Sequence, residues 1–227
     1  MKIRNFYYLS LVIILSAFVI SAKSAKSDSS ITEVPRGSTV TIDGKMNEDE
    51  WKDALTQDLK NGGSIKLKHD GEFLQIGLQG GKTGLSHVYL TDGKDVFVLH
   101  ASAALGMAVY RKEGEVWNPT QKFKWELRDQ STNIEASSSY LKANGWLASV
   151  SAMTATDREY KVSVKFKEGD NFRLVAVYYN NPISPQFFPQ TIADDTLKQQ
   201  LLFGSEPTKL SFKTEQWATL KLKDFSK

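Results

Sequence analysis

Apolar and polar residues alternate with a period of two along most of this chain, which is the spacing of β-strands with one buried face. Asp-Gly or Glu-Gly pairs separate several of these runs at 70–71, 92–93 and 113–114, and such pairs are typical of hairpin turns. The runs with strand character are 65–69, 73–78, 88–90, 96–99, 107–111, 116–117, 123–127, 160–166, 172–178 and 217–222. About ten strands at this spacing predict an all-β fold, an antiparallel β-sandwich or barrel, and we take the sandwich.

Only two segments have the pattern of helices. Residues 47–54 begin with Asn47, a good N-cap, and place acidic residues in the first turn. Residues 195–202 form the second predicted helix. The predicted fold is therefore a sandwich with one or two short helices.

The amino-terminal residues have the layout of a secretory signal peptide. Lys2 and Arg4 precede an almost wholly apolar run over 6–20, with small residues at Ala22 and Ala25. The alternative is an uncleaved anchor helix, but the run is short for a membrane span. We predict a signal peptide over 1–22, a disordered leader over 23–30 and one domain over 31–227, with no membrane span in the mature form. The mature protein would be periplasmic or extracellular.

Net charge and cysteine content limit the kinds of partner and metal site that the chain can have. Without residues 1–22, the 29 basic residues become 27 against 26 acidic ones, a net charge of +1. This balance gives no support for nucleic acid as a partner. The chain has no Cys, so the mature domain is disulfide-free and has no thiolate metal site.

Sequence motifs of catalysis are missing. The acidic residues cluster in turns, and no hydrolase, zinc-protease or phosphate-loop motif occurs. We therefore predict a non-catalytic protein with no metal and no required cofactor. Asp43 or the Asp194–Asp195 pair offer oxygen ligands for calcium, although neither has a specific ligand spacing.

Histidines permit one cofactor hypothesis. His69 and His100 fall within or at the end of predicted strands, where a hydrogen-bonded structural histidine is the favoured interpretation. His100 and Met107 also flank a run of small residues over 101–106, and either side chain is a possible axial ligand for non-covalent haem. A tight bend between two strands is the preferred interpretation of that run.

Aromatic residues are the strongest binding signal. Trp51, Trp125 and Trp217 are predicted to lie in the core. Trp117 and Trp146 stand at strand ends and are predicted to be loop-end platforms for a ligand. The remaining predicted ligand-binding residues are two phenylalanines in a predicted loop, a tyrosine just before that loop and two arginines from other segments: Phe187, Phe188, Tyr179, Arg111 and Arg128. A second interpretation has the Phe pair folding back over an open sandwich end.

Residues 42–48 (Ile-Asp-Gly-Lys-Met-Asn-Glu), followed by Trp51 and Ala54, resemble the opening of family 9 carbohydrate-binding modules and related DOMON-like domains. The resemblance covers 31–224 and implies a β-sandwich in which the Trp packs a short helix over the sandwich. It also implies sugar binding, or haem binding as in distant relatives. The stretch over 80–86 has no aromatic residue where the sugar-binding members place a Trp, so their aromatic clamp does not transfer.

Together these features predict an exported, non-catalytic binding domain for carbohydrate or a similar cell-envelope ligand. The alternatives are a haem-binding DOMON-type domain and an accessory domain that acts through a protein partner.

Overall fold

The computed structural model describes residues 31–60, 62–80, 85–128, 133–150, 157–179, 185–192, 197 and 210–224. These residues form thirteen strands: β1 (Thr32–Val34), β2 (Leu55–Leu59), β3 (Gly63–His69), β4 (Phe73–Gln79), β5 (Ser86–Thr91), β6 (Asp95–Ala101), β7 (Leu105–Glu113), β8 (Val116–Glu126), β9 (Trp146–Ala148), β10 (Asp157–Ser163), β11 (Asn171–Tyr179), β12 (Pro185–Phe188) and β13 (Ala218–Leu222). The helices are α1 (Glu48–Trp51), α2 (Ile134–Asn144) and two 3-10 turns, Val164–Phe166 and Thr214–Gln216. In the described part of the chain, no helix has both the length and the apolar character needed to cross a membrane.

The strands form two sheets. The large sheet has the order β1-β13-β11-β5-β6-β7-β8, with β12 added to β11, and the small sheet has the order β2-β3-β4-β10-β9. Every described pairing between these strands is antiparallel except that of β1 with β13. The predicted all-β sandwich is confirmed, with more strands than the ten expected.

The main core lies between the two sheets and follows the predicted alternation. Val88, Leu90 and Leu174 of the large sheet are fully buried, as are Leu67 and Ile76 of the small sheet. The predicted hairpins form at all three turns. Asp70 and Asp92 explain two of them, because each carboxylate accepts hydrogen bonds from backbone N–H groups two and three residues further on.

Several predicted element boundaries are wrong. The alternation over 160–166 predicted one strand, but β10 ends at Ser163, whose hydroxyl caps the 3-10 turn by accepting from the Lys165 N–H. The short strand at 116 and the one at 123 are a single strand, β8, with bulges against β7. Helix α2 was not predicted, while the helix expected over 195–202 lies, apart from Leu197, outside the described residues.

Both outer faces of the sandwich are covered over much of their area by irregular chain. Residues 38–54 cross the small sheet and pack Val40, Met46 and Trp51 against it. On the large sheet, Leu210, Phe212 and Trp217 pack against the outward side chains of the central strands to form a second core. These two coverings decide which parts of the sheet faces remain open to a ligand.

Candidate functional site

The outer face of the large sheet has an exposed corner near the end of β8. The second core covers Tyr89, Val98 and Val177 further along the sheet. Trp125 on β8 lies outside that cover and keeps 41% of its surface exposed. Three large apolar side chains are exposed in the described residues, and Trp125 is the aromatic one; the other two are Ile31 and Ile134. An exposed Trp ring that lies beside a second aromatic ring on the same strand is a candidate contact site.

Phe123 and Gly106 hold this ring in place. The rings of Phe123 and Trp125 are nearly parallel, with centroids 5.2 Å apart and an interplanar angle of 14°. Gly106 pairs with Trp125 across the β7–β8 ladder, and a Cβ placed on Gly106 would lie 2.8 Å from the Trp125 ring. Glycine is therefore required for the two rings to lie close to the sheet, and we refer to Trp125 and Phe123 as the aromatic platform.

Two histidines and a serine border the platform. The His100 ring stands edge-on to Trp125, with centroids 4.9 Å apart, and its Nδ1 lies 3.2 Å from Nε2 of His87. Its Nε2 lies 2.9 Å from the hydroxyl of Ser102, in the turn that follows β6. The run of small residues over 101–106 thus forms the predicted bend, with His87, His100 and Ser102 as a hydrogen-bonded row beside the platform.

Burial keeps this row uncharged. Burial, together with the nearby positive charge of Arg158, lowers the pKa of His100 to about 4. Burial also lowers the pKa of His87 well below its ordinary value, with a smaller contribution from His100. Near neutral pH both imidazoles are therefore neutral, and the platform is bordered by uncharged polar groups.

Trp117 and Trp146 do not have the predicted exposure. Trp117 is 3% exposed in the second core, where its Nε1–H donates to the carbonyl of Phe212 at 3.3 Å. Trp146 is fully buried in the main core, between Tyr140 and Tyr160. Strand-end position suggested exposed rings, but chain packed over each strand end buries them, so neither offers a face to a ligand in this structure. Trp125 shows the opposite error, because it was predicted to be core.

Phe187 and Phe188 lie in a strand instead of the predicted loop. Both belong to β12, which pairs with β11, so their side chains point to opposite faces. Phe188 is 4% exposed in the main core, and Phe187 packs partly buried against the second core. The pair therefore contributes to closing the sandwich. Tyr179 pairs with Pro185 through the β11–β12 ladder, and its side chain lies outside the described residues.

The two predicted cations lie at opposite ends of the β7–β8 hairpin, and Arg128 is the one nearer to Trp125. Arg111 donates two hydrogen bonds of 2.7 Å to Asp95, and this pair raises the pKa of Arg111 and lowers that of Asp95. Arg111 lies five residues along β7 from Gly106, which is roughly 17 Å in an extended strand. Arg128 is exposed shortly after the end of β8, close to Trp125 in sequence.

His100 and Met107 lie on opposite faces of the large sheet. His100 faces outward beside Trp125, while Met107 packs against the main core. They therefore cannot bind the two sides of one haem iron. In the described residues no group of three or more His, Asp or Glu side chains is arranged to hold a metal ion. Asp43 serves its own turn by accepting from the Lys45 N–H, and the Asp194–Asp195 pair lies outside the described residues.

Glu159 was not among the residues singled out in the sequence, and it explains how the opening motif is held against the small sheet. Its carboxylate is buried on the outer face of the small sheet and accepts three hydrogen bonds. The backbone N–H groups of Asp43 and Gly44 donate to Oε2 at 3.1 and 2.7 Å, and the Trp51 Nε1–H donates to Oε1 at 3.1 Å. Gly44 has a φ of 81°, which only glycine adopts readily. The Ile-Asp-Gly turn and the Trp are therefore held by one acid from a distant strand.

The same covering segment holds a buried lysine. Lys68 of β3 is fully buried, and its ammonium donates to Asp53 Oδ1 at 2.7 Å, to the Ser38 hydroxyl at 3.2 Å and to the Glu50 carbonyl. It also lies 5.6 Å from the centroid of the Trp51 ring, within cation–π range. Trp51 is 1% exposed, which confirms the prediction that it packs the short helix over the sandwich.

No protein-family model and no curated protein matches this chain. Among solved structures, the chain is similar to a family 9 carbohydrate-binding module from Caldicellulosiruptor kristjanssonii in complex with cellotriose. The two chains share 13% identity over 86% of this chain and 94% of that chain, with a TM-score of 0.43. That module belongs to the family that the opening motif resembles.

Proposed function

We propose that this protein is an exported, non-catalytic domain that binds carbohydrate on the aromatic platform. The observation that carries this proposal is the exposed ring of Trp125, stacked on Phe123 and bordered by uncharged hydrogen-bonding groups. Pyranose rings present patches of C–H that pack on flat aromatic faces, while polar groups beside the aromatic ring bind their hydroxyls. The resemblance of residues 42–48 to carbohydrate-binding modules agrees with this choice of ligand.

The position of the strongly perturbed carboxyl favours binding over catalysis. A carboxyl with a raised pKa is often a catalytic acid, and burial raises the pKa of Glu159 to about 7. However, Glu159 lies beneath the covering segment of the small sheet, with its oxygens occupied by three N–H donors. The platform lies on the other sheet and contains no carboxylate pair of the kind that glycoside hydrolysis requires.

Export rests on the amino-terminal sequence. The predicted signal peptide over 1–22 would deliver the domain to the periplasm or outside the cell, where polysaccharides and envelope glycans are its candidate ligands. A domain without Cys is stable there through its core alone.

The proposal is tested by titrating the full-length chain with neutral trisaccharides, beginning with cellotriose, and by repeating the titration with Trp125→Ala. We expect millimolar or tighter binding of at least one saccharide and a loss of at least about tenfold in the variant, because aromatic anchors dominate contact energy. Gly106→Ala should also weaken binding, because its methyl group displaces the Trp125 ring.

Ile31→Ala is the matched control, since Ile31 is another exposed apolar side chain and precedes β1, at the opposite edge of the large sheet from β8. It should bind like the wild type. If no saccharide binds at millimolar concentration, or if Trp125→Ala binds as well as the wild type, the proposed site is wrong.

A further inference from the structure

Ser102 occupies a defined position beside the aromatic platform. Its hydroxyl lies 2.9 Å from Nε2 of His100, and the His100 ring is in edge-on contact with Trp125. Ser102 is partly exposed, whereas His87 and His100 are buried. Of the three members of the polar row, Ser102 is therefore the one that a saccharide lying on Trp125 can reach.

The Ser102 hydroxyl has two partners within the protein, and either can take its proton. It lies 2.9 Å from Nε2 of His100 and 3.4 Å from the Ala104 carbonyl, which also accepts from the Ser102 backbone N–H at 3.1 Å. If His100 carries its proton on Nε2, the hydroxyl accepts from His100 and donates to Ala104; in the other tautomer it donates to His100. In both arrangements the hydroxyl proton is directed at a group of the protein.

Both arrangements leave one function for Ser102 towards a ligand. A serine oxygen has two lone pairs, and at most one of them accepts from His100. At least one lone pair therefore remains, so the unused hydrogen-bonding capacity of Ser102 is that of an acceptor.

We infer that Ser102 is a specificity-determining residue of the platform, which accepts a hydrogen bond from a hydroxyl of a saccharide stacked on Trp125. His100 is then a positioning residue, because it orients the Ser102 oxygen without itself contacting the ligand. The inference rests on the proposed function and specifies the ligand chemistry: a sugar that presents a free O–H next to a flat C–H face. A sugar whose hydroxyls are methylated keeps the apolar face but has no donor for Ser102.

A two-by-two binding experiment tests this inference. The wild type and Ser102→Ala are titrated with a neutral trisaccharide that binds, such as cellotriose, and with its per-O-methylated form. We expect Ser102→Ala to bind the free trisaccharide about two- to tenfold more weakly, the range for one uncharged hydrogen bond. The methylated form should bind both proteins equally, so the preference for free over methylated sugar should shrink by the same factor in the variant.

Ser102→Thr retains the hydroxyl and should restore most of the preference, which separates loss of the oxygen from loss of the fold. Ser139→Ala, an exposed serine on α2, is the control and should bind like the wild type. If saccharide binds and depends on Trp125, but Ser102→Ala leaves the preference unchanged, Ser102 is not the acceptor and the proposed function stands. If no saccharide binds the wild type, the proposed function itself fails.

Discussion

Replacement of Glu159 by glutamine should change how stability depends on pH. The carboxylate of Glu159 is fully buried and receives N–H groups from Asp43, Gly44 and Trp51. Burial raises its pKa to about 7, although these three donors oppose the rise. The Glu159→Gln variant keeps the size of the side chain but cannot ionise.

The direction of this pH dependence follows from the numbers of protons that the folded and unfolded states bind. In the unfolded chain the pKa of Glu159 returns to about 4.5, so between pH 4.5 and 7 the folded state binds more protons than the unfolded state. The stabilisation is complete below pH 4.5 and is lost as the pH rises through 7. At about 1.4 kcal/mol for each pH unit between the two pKa values, the loss reaches about 3 kcal/mol.

Histidines act in the opposite direction over part of this range. Burial lowers the pKa values of His69, His87 and His100, so the unfolded state binds more protons than the folded state below pH 6.5. Their contribution therefore increases stability as the pH rises towards 6.5. Because the variant retains all three histidines, the difference between wild type and Glu159→Gln isolates the acid.

Urea unfolding of the full-length chain at pH 5, 6, 7 and 8 measures this difference. Relative to Glu159→Gln, the wild type should lose up to about 3 kcal/mol of unfolding free energy across the series. Glu115→Gln in the exposed β7–β8 turn is the control and should follow the wild type. Parallel pH curves for wild type and Glu159→Gln would refute the reasoning.

Two further predictions concern stability and use urea unfolding as well. Trp51→Ala should cost about 3–5 kcal/mol, the range for a large buried aromatic, and a loss below about 1 kcal/mol would mean that the covering segment does not depend on its ring. Phe188→Ser should destabilise the domain by several kcal/mol because the ring lies in the main core, whereas partly buried Phe187→Ser should cost clearly less. Equal losses for the two Phe variants would contradict the difference in burial between the two rings.

Local turn chemistry made the strands predictable. The carboxylates of Asp70 and Asp92 accept hydrogen bonds from backbone N–H groups within three residues. Because these contacts are local in the sequence, the sequence alone predicts the two hairpin turns. Helix α2 lacked such a signal, because it buries only Tyr140 among its residues and its serines interrupt any apolar stripe. Its caps, Asn133 and Gly145, are visible only when the helix is already suspected.

The candidate site was harder to predict because it depends on which strands lie at a sheet edge. Trp125 alternates with Lys124 and Glu126 as a core residue would, but β8 is the last strand of the large sheet and its outward face is not covered at this end. Trp117, on the same strand, meets chain that pairs with it at Leu210 and is buried. Local periodicity of the sequence predicts neither the order of the strands in a sheet nor which strands a distant segment covers.

Beyond Trp117, which pairs with Leu210, the edge formed by β8 carries features that oppose pairing with another strand. Pro119 has no N–H to offer, and the side chains of Thr120 and Gln121 bond back to carbonyls of β7 at the bulges. Lys122 and Lys124 add exposed positive charge where a further strand would pair. These features oppose edge-to-edge aggregation and strand addition by a peptide. A long edge strand that ends next to an exposed Trp is thereby protected against pairing with a second copy of the chain.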